Sequence, residues 1–297
     1  MTPRKILIIA DYTSDAFLGG AQLVNDLIKQ ELERRGHRVD YVCVNPHLDE
    51  WSKWDGSHDL TLVTNIPHLS ANQLLSIAQS PIPYINFRHD IASIAYHAHP
   101  GSLEISALVK TLFDNAAVNF FISNIQLAYY QRICSVERAL VVPPPARFDG
   151  FENWNQVRKG IMYLGPISRE RGILESLEYV RSLGPGYSID FFGKIDDDEL
   201  KNQILSDHCN IFPEVPRALL PRIFNSYRQL IYLPHIVDAF CIKMVEAELC
   251  GLEIVANKEN IGRYYFQHSA QELKAFMEDS SCQIIGDQIE AALSRHS

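Results

Sequence analysis

Two carboxylates, Asp238 and Glu246, stand eight positions apart in the stretch Leu233-Pro234-His235-Ile236-Val237-Asp238-Ala239-Phe240-Cys241-Ile242-Lys243-Met244-Val245-Glu246. If a helix starts near Phe240, Asp238 sits at its mouth and Glu246 under two turns in, so both face one ligand. The amides of Ala239, Phe240, Cys241 and Ile242 then open onto the same space, and with the helix dipole they favour a phosphate. A carboxylate pair beside an anion cradle suits a ligand carrying both hydroxyls and phosphates, which describes a nucleotide sugar. Arg169 and Arg171 lie just before Gly172, where guanidinium forks can meet diphosphate oxygens. Gly19 and Gly20 open the first helix, where backbone amides can approach a ligand closely. His89 closes an apolar run at the carboxyl end of a strand, the edge where open α/β sheets bind ligands.

These groups need a scaffold, and the hydrophobic pattern describes one. Ile6–Ala10, Val39–Val44, Leu60–Thr64, Tyr84–Phe87, Val118–Ile122 and Ala139–Val142 read as short buried strands. Ala21–Arg35, Ala71–Gln79, Ser102–Asn115 and Asn124–Ile133 between them carry helical periodicity. Ser123 reads as a helix N-cap. After Pro143-Pro144-Pro145 the alternation restarts at Gly160–Leu164 and continues to the end, through helices expected at Ala270–Glu278 and Gln288–Ser294. The expected architecture is α/β, with two Rossmann-like doubly wound domains, residues 1–147 and 148–297, facing across a cleft that holds the ligand.

Composition excludes several classes. A chain of 297 residues with 46% hydrophobic content can bury two cores, and a net charge of −9 without a basic stripe argues against a nucleic-acid groove. Six cysteines without a C-x-x-C pair read as reduced, mostly buried thiols. The apolar run after Lys5 is too short for a signal peptide, and no segment approaches the roughly 20 apolar residues that span a bilayer. The expected location is the cytoplasm, with room for peripheral membrane contact. No G-x-G-x-x-G follows either domain's first strand, which argues against a dinucleotide oxidoreductase. His97 and His99 near Asp90 lack an identifiable supporting shell, so no metal site is expected.

The signature stretch resembles the retaining glycosyltransferases of family 4, which have the two-domain GT-B architecture. Their pattern of a Glu, seven residues and a second Glu aligns with Asp238 and Glu246, followed by Ala247-Glu248-Leu249-Cys250-Gly251. Gly20-Ala21-Gln22-Leu23-Val24, with Glu33-Arg34-Arg35-Gly36-His37-Arg38-Val39, is similar to the family's first helix. Gly165-Pro166-Ile167-Ser168-Arg169-Glu170-Arg171-Gly172 is similar to its diphosphate loop. The resemblance implies a metal-independent transfer with retention, from a nucleotide-sugar co-substrate (a UDP- or GDP-sugar foremost) to a carbohydrate or glycoconjugate acceptor, with no other cofactor. It implies that Glu246 holds the donor ribose, that Asp238 and His89 face the transferred sugar, and that Gly19, Gly20, Arg169, Arg171 and residues 239–242 serve the donor. The departures are Asp238 for Glu, Ala239 and Cys241 for glycines, Pro166 for Arg and Glu253 for Pro. They are the ground for one alternative, a degenerate GT-B protein that binds a partner or glycan without catalysis; a GT-B sugar-nucleotide epimerase is the other. The chain is short for the family, so the helix that crosses back onto the first domain is expected to be missing or reduced.

Overall fold

The computed structural model describes residues 2–13, 15, 19–64, 67–91, 107–158, 160–207 and 209–295. These form two compact units, one of residues 1–147 with 274–297 and one of residues 148–273.

In the first unit, strands β1 (Lys5–Ala10), β2 (Arg38–Asn45), β3 (Leu48–Asp49), β4 (Leu60–Val63), β5 (Tyr84–Arg88), β6 (Val118–Phe121) and β7 (Ala139–Val141) make one sheet. Its order is β3-β2-β1-β4-β5-β6-β7, parallel except for the short β2–β3 pair. Ile6 to Ala10 are all buried, as a strand covered on both faces requires. The connecting helices are α1 (Gly20–Arg34), α2 (Ala71–Ala78), α3 (Ala107–Asn115) and α4 (Asn124–Gln131). Ser70 and Gln73 form a reciprocal cap on α2, and the Ser123 hydroxyl accepts the Gln126 amide at the start of α4. Leu74, Ile77, Leu112, Phe113 and Tyr130 pack with Leu7, Ile9 and Phe121 into the core on one side of the sheet.

The second unit repeats the pattern with a parallel sheet in the order β10-β9-β8-β11-β12. Its strands are β8 (Ile161–Leu164), β9 (Ile189–Phe192), β10 (Asn210–Phe212), β11 (Gln229–Tyr232) and β12 (Glu253–Ala256). Helices α5 (Ile173–Leu183), α6 (Asp198–Ser206), α7 (Leu220–Ser226) and α8 (Ile242–Leu249) connect them, and α9 (Ala270–Ala275) follows β12. In both sheets chain order reverses beside the first strand, at β1/β4 and at β8/β11. The loops leaving those strands are therefore placed to build sites.

The end of the chain differs from the sequence reading. Ala270–Ala275 runs through a π-helical turn, Phe276–Ser280, into α10 (Ser281–Arg295), and residues from Lys274 onward belong to the first unit rather than the second. The returning helix expected to be missing is thus present. Polar residues and Gly286 disguised it, although Ile285, Ile289, Ala292 and Leu293 are buried; part of its contact with the end of α1 is ionic. Arg35 bonds Asp287 at 2.7 Å, Glu290 at 3.1 Å and the Gln283 carbonyl at 3.0 Å. Gly286 leaves the space that guanidinium fills, since a Cβ there would come within 2.6 Å of it.

All six cysteines are free, four of them buried. Among the described residues no helix is long and apolar enough to cross a membrane, and no group of three or more His, Cys, Asp or Glu is gathered as for a metal ion. His97, His99 and residues 102–106 of the expected third helix lie outside the described residues.

Candidate functional site

The second unit gathers most of the candidate residues at the carboxyl ends of β8 and β11. After β8 the chain turns through Gly165 and a short 3₁₀ helix, Arg169–Arg171, to Gly172 at φ 76°. A Cβ at Gly172 would lie 1.8 Å from the Leu233 carbonyl oxygen, so this loop and the end of β11 meet backbone to backbone. That contact carries Arg171 to the strand end. Its Nη1 donates to the Tyr232 hydroxyl at 2.6 Å and to Asp238 Oδ2 at 3.3 Å, while the Tyr232 hydroxyl donates to the same Oδ2 at 2.9 Å. The Asp238 backbone is clamped as well: it forms a parallel bridge with Ile261, donating to Asn260 and accepting from Gly262. Burial works to lower the Arg171 pKa, but Tyr232 and Asp238 outweigh it and hold the guanidinium charged.

Helix α8 starts at Ile242, where the apolar pattern of residues 242–250 puts it and two residues past the Phe240 start on which the amide cradle depends. The bridge at Asp238 ties down the loop before the helix, and Phe240, its carbonyl bonded to the Arg263 amide, packs against Phe266. Cys241 then takes the left-handed conformation, φ 68° and ψ 70°, which few residues other than glycine adopt. Of the amides expected to form the cradle, Ile242 alone lies in the helix; it and Lys243 lack intrahelical acceptors, while the Met244 amide folds back to the Cys241 carbonyl. Burial pushes the Cys241 thiol well above its usual range, and the Asp238 charge adds to this.

Glu246 is 2% exposed, and burial raises its pKa against the opposing pull of Arg217 and Lys243. Its Oε1 is ion-paired with Arg217, whose guanidinium also lies 5.2 Å from the Phe151 ring centroid. Arg169, by contrast, is turned to the Asp197 and Glu199 carboxylates, each at 3.0 Å, and is exposed. The two arginines expected to act together are thus committed to different partners. The cation beside the Gly165 turn is Lys243, whose Nζ donates to the Leu164 carbonyl at 2.6 Å and lies 3.7 Å from the Tyr232 ring centroid.

The first unit holds the rest. His89, just past β5, places Nε2 2.9 Å from Asn25 Oδ1. Asn25 Nδ2 donates to the Thr64 hydroxyl at 3.1 Å, which donates to the Ile9 carbonyl at 3.0 Å. A carbonyl only accepts, so this relay fixes the direction of every bond and assigns the His89 proton to Nε2, leaving Nδ1 with a free lone pair. Burial, helped by the neighbouring Arg88, lowers the His89 pKa to about 3. The ring is therefore a neutral acceptor at physiological pH. Asp11, past β1, carries no signal in the sequence pattern; burial raises its pKa to about 7, the Asp90 charge adding and Arg88 opposing. Gly19 caps α1 at φ −115°, a backbone conformation open to other residues, and Gly20 is exposed, where an added Cβ would meet nothing within 4 Å, so packing does not demand glycine at Gly20.

No family model matches the chain, and no curated protein matches it in sequence. Solved structures do match in fold over nearly its whole length. Anabaena HepE, crystallised with UDP-glucose, aligns with a TM-score of 0.66 at 16% identity, covering 99% of this chain and 98% of that one. Sucrose-phosphate synthase from Thermosynechococcus elongatus gives 0.68 at 13% identity, over 98% and 94%. WaaG, a glycosyltransferase of lipopolysaccharide biosynthesis, gives 0.61 at 15%, over 98% and 94%. The fold is GT-B.

Within this GT-B fold three residues of the second-unit site escaped or were undervalued by the sequence reading. Tyr232 sits in the apolar run of β11, Arg217 opens a short 3₁₀ turn before α7, and Lys243 lies in the first turn of α8. Each signal was present only as a residue type; partners distant in the chain give it meaning, and spacing carries no trace of them.

Proposed function

We propose that the protein is a glycosyltransferase that takes a sugar from a nucleoside diphosphate sugar. The observation carrying this reading is the opening of α8, where Arg171, Lys243 and first-turn amides lie with the carboxylates of Asp238 and Glu246. The GT-B likeness to a protein crystallised with UDP-glucose supports it. In this reading Arg171 and Lys243 take the diphosphate, Glu246 keeps Oε2 for the ribose while Arg217 neutralises Oε1, and Asp238 faces the transferred sugar. The first unit is the acceptor side, where His89 Nδ1 accepts a hydrogen bond from a sugar hydroxyl.

The chemistry follows from those charges. As the glycosidic C–O bond to the diphosphate breaks, negative charge grows on the leaving phosphate and oxocarbenium character on the sugar. Preorganised cations stabilise the former, typically by about 3 to 4 kcal/mol for a well-placed donor. In this reading the acceptor hydroxyl attacks on the face the diphosphate leaves, with retention, and Arg171 and Lys243 neutralise the leaving group in the role a metal would otherwise fill. The proton from the acceptor passes to the departing phosphate oxygen. Thermal-shift and turnover measurements with UDP-, GDP-, ADP- and dTDP-sugars test the reading. One nucleotide is expected to raise the melting temperature by several degrees, with slow release of the nucleoside diphosphate, and Glu246→Ala is expected to abolish both. No shift with any nucleotide would overturn it.

A further inference from the structure

We propose that Tyr232 is a positioning residue that sets both diphosphate-binding cations, its hydroxyl holding Arg171 against Asp238 and its ring face carrying Lys243. The proposal rests on the nucleotide-sugar reading of this site and deepens it. Tyr232 is fully buried, yet it touches three charged side chains drawn from three different segments: Arg171 after β8, Asp238 after β11 and Lys243 in the first turn of α8. A buried phenol at this strand end is not needed for packing alone, because the Tyr163 ring, 6.0 Å away, and the Lys243 ammonium meet the ring, which a phenylalanine keeps. The hydroxyl instead accepts from the guanidinium and donates to the carboxylate, which fixes the direction of both bonds.

The arrangement also resolves an electrostatic oddity. A lysine in the first turn of a helix faces the positive end of the dipole and is disfavoured there. Here the ammonium is steadied by the π face 3.7 Å away and by the Leu164 carbonyl. The result is two cations held around one ring, with Asp238 as the carboxylate bonded to its hydroxyl. Placing the cations before a ligand arrives reduces the ordering cost of binding a diphosphate.

UDP titrated into wild type and Tyr232→Phe by calorimetry tests this. Phenylalanine keeps the ring, so Lys243 stays in place, whereas Arg171 loses its anchor. The dissociation constant for UDP is expected to rise about tenfold, as for loss of one charge-assisted hydrogen bond. In an Arg171→Met background the same change is expected to have little further effect, and in a Lys243→Met background its full effect. Wild-type affinity in Tyr232→Phe, or an undiminished tenfold loss in the Arg171→Met background, would overturn the proposal; the second result would mark Tyr232 as merely structural. Should the wild type bind none of UDP, GDP or ADP, the donor reading fails separately. The network is then read from urea unfolding of Tyr232→Phe, Arg171→Met and the double variant, where additive losses would overturn it and coupled ones sustain it.

Discussion

Gly172→Ala is expected to cost the second unit about 3 kcal/mol. Two separate penalties make up that figure. At φ 76° and ψ 32° a side chain strains the backbone, by roughly 1–2 kcal/mol. The new Cβ would also lie 1.8 Å from the Leu233 oxygen and 2.4 Å from its carbonyl carbon, so the loop or the strand end must retreat by more than an ångström. Overpacking of that kind costs about 1–3 kcal/mol, and the reduced freedom of the unfolded chain returns less than about 1 kcal/mol. Gly160→Ala is the control, since φ there is also 76° but the nearest atom, on the Tyr227 ring, lies at an ordinary 3.5 Å; it is expected to show the backbone penalty alone. Trp154 is the one tryptophan of the second unit, so urea unfolding followed by its fluorescence in a Trp51→Phe/Trp54→Phe background reports on that unit. Equal losses in Gly172→Ala and Gly160→Ala would refute the claim that loop and strand meet backbone to backbone.

His89 has a folded pKa of about 3, below its unfolded value, so the unfolded chain binds the extra proton first and stability falls as pH drops from about 6.5 to 3; His89→Gln is expected to flatten that part of the pH–stability curve. Asp11 has the opposite sign: its folded pKa near 7 lies above the unfolded value, so stability falls as pH rises from about 4 to 7. Asp11→Asn is therefore expected to gain stability over wild type at pH 8 but not at pH 4, by thermal unfolding at each pH. Gly20→Ala is expected to stabilise the chain by about 0.5–1 kcal/mol, because the position is helical, exposed and open. If it also weakens ligand binding, the glycine serves a ligand rather than the fold. Arg217→Met strands Glu246 in the interior and is expected to cost about 3 kcal/mol in urea unfolding, largely recovered in Arg217→Met/Glu246→Gln.

Alternation of buried strands with helices was legible in the sequence because parallel strands covered on both faces are continuous apolar runs, as Ile6–Ala10 is. The return of α10 to the first unit was not, because it is fastened by Arg35 and its acidic partners at the far end of the chain and carries a glycine that reads as a helix breaker. At the site, the types and spacing of Asp238 and Glu246 pointed to the loop and helix where the cations and carboxylates gather. Local geometry did not follow: Cys241 turns left-handed just before the helix, so Ala239 and Phe240 stay outside it, and Arg169 is drawn off by Asp197 and Glu199. The sequence also hid the partners that set each carboxylate's chemistry, Tyr232 and Arg171 for Asp238 and Arg217 for Glu246. Such contacts arise only when the ends of β8 and β11 are brought side by side.

A crystal structure of the protein soaked with UDP tests the central claim most directly. The account predicts the diphosphate at the opening of α8 within hydrogen-bond distance of Arg171 and Lys243, and the ribose hydroxyls on Glu246. UDP bound elsewhere with Glu246 untouched, or a site left empty at millimolar nucleotide, would contradict it.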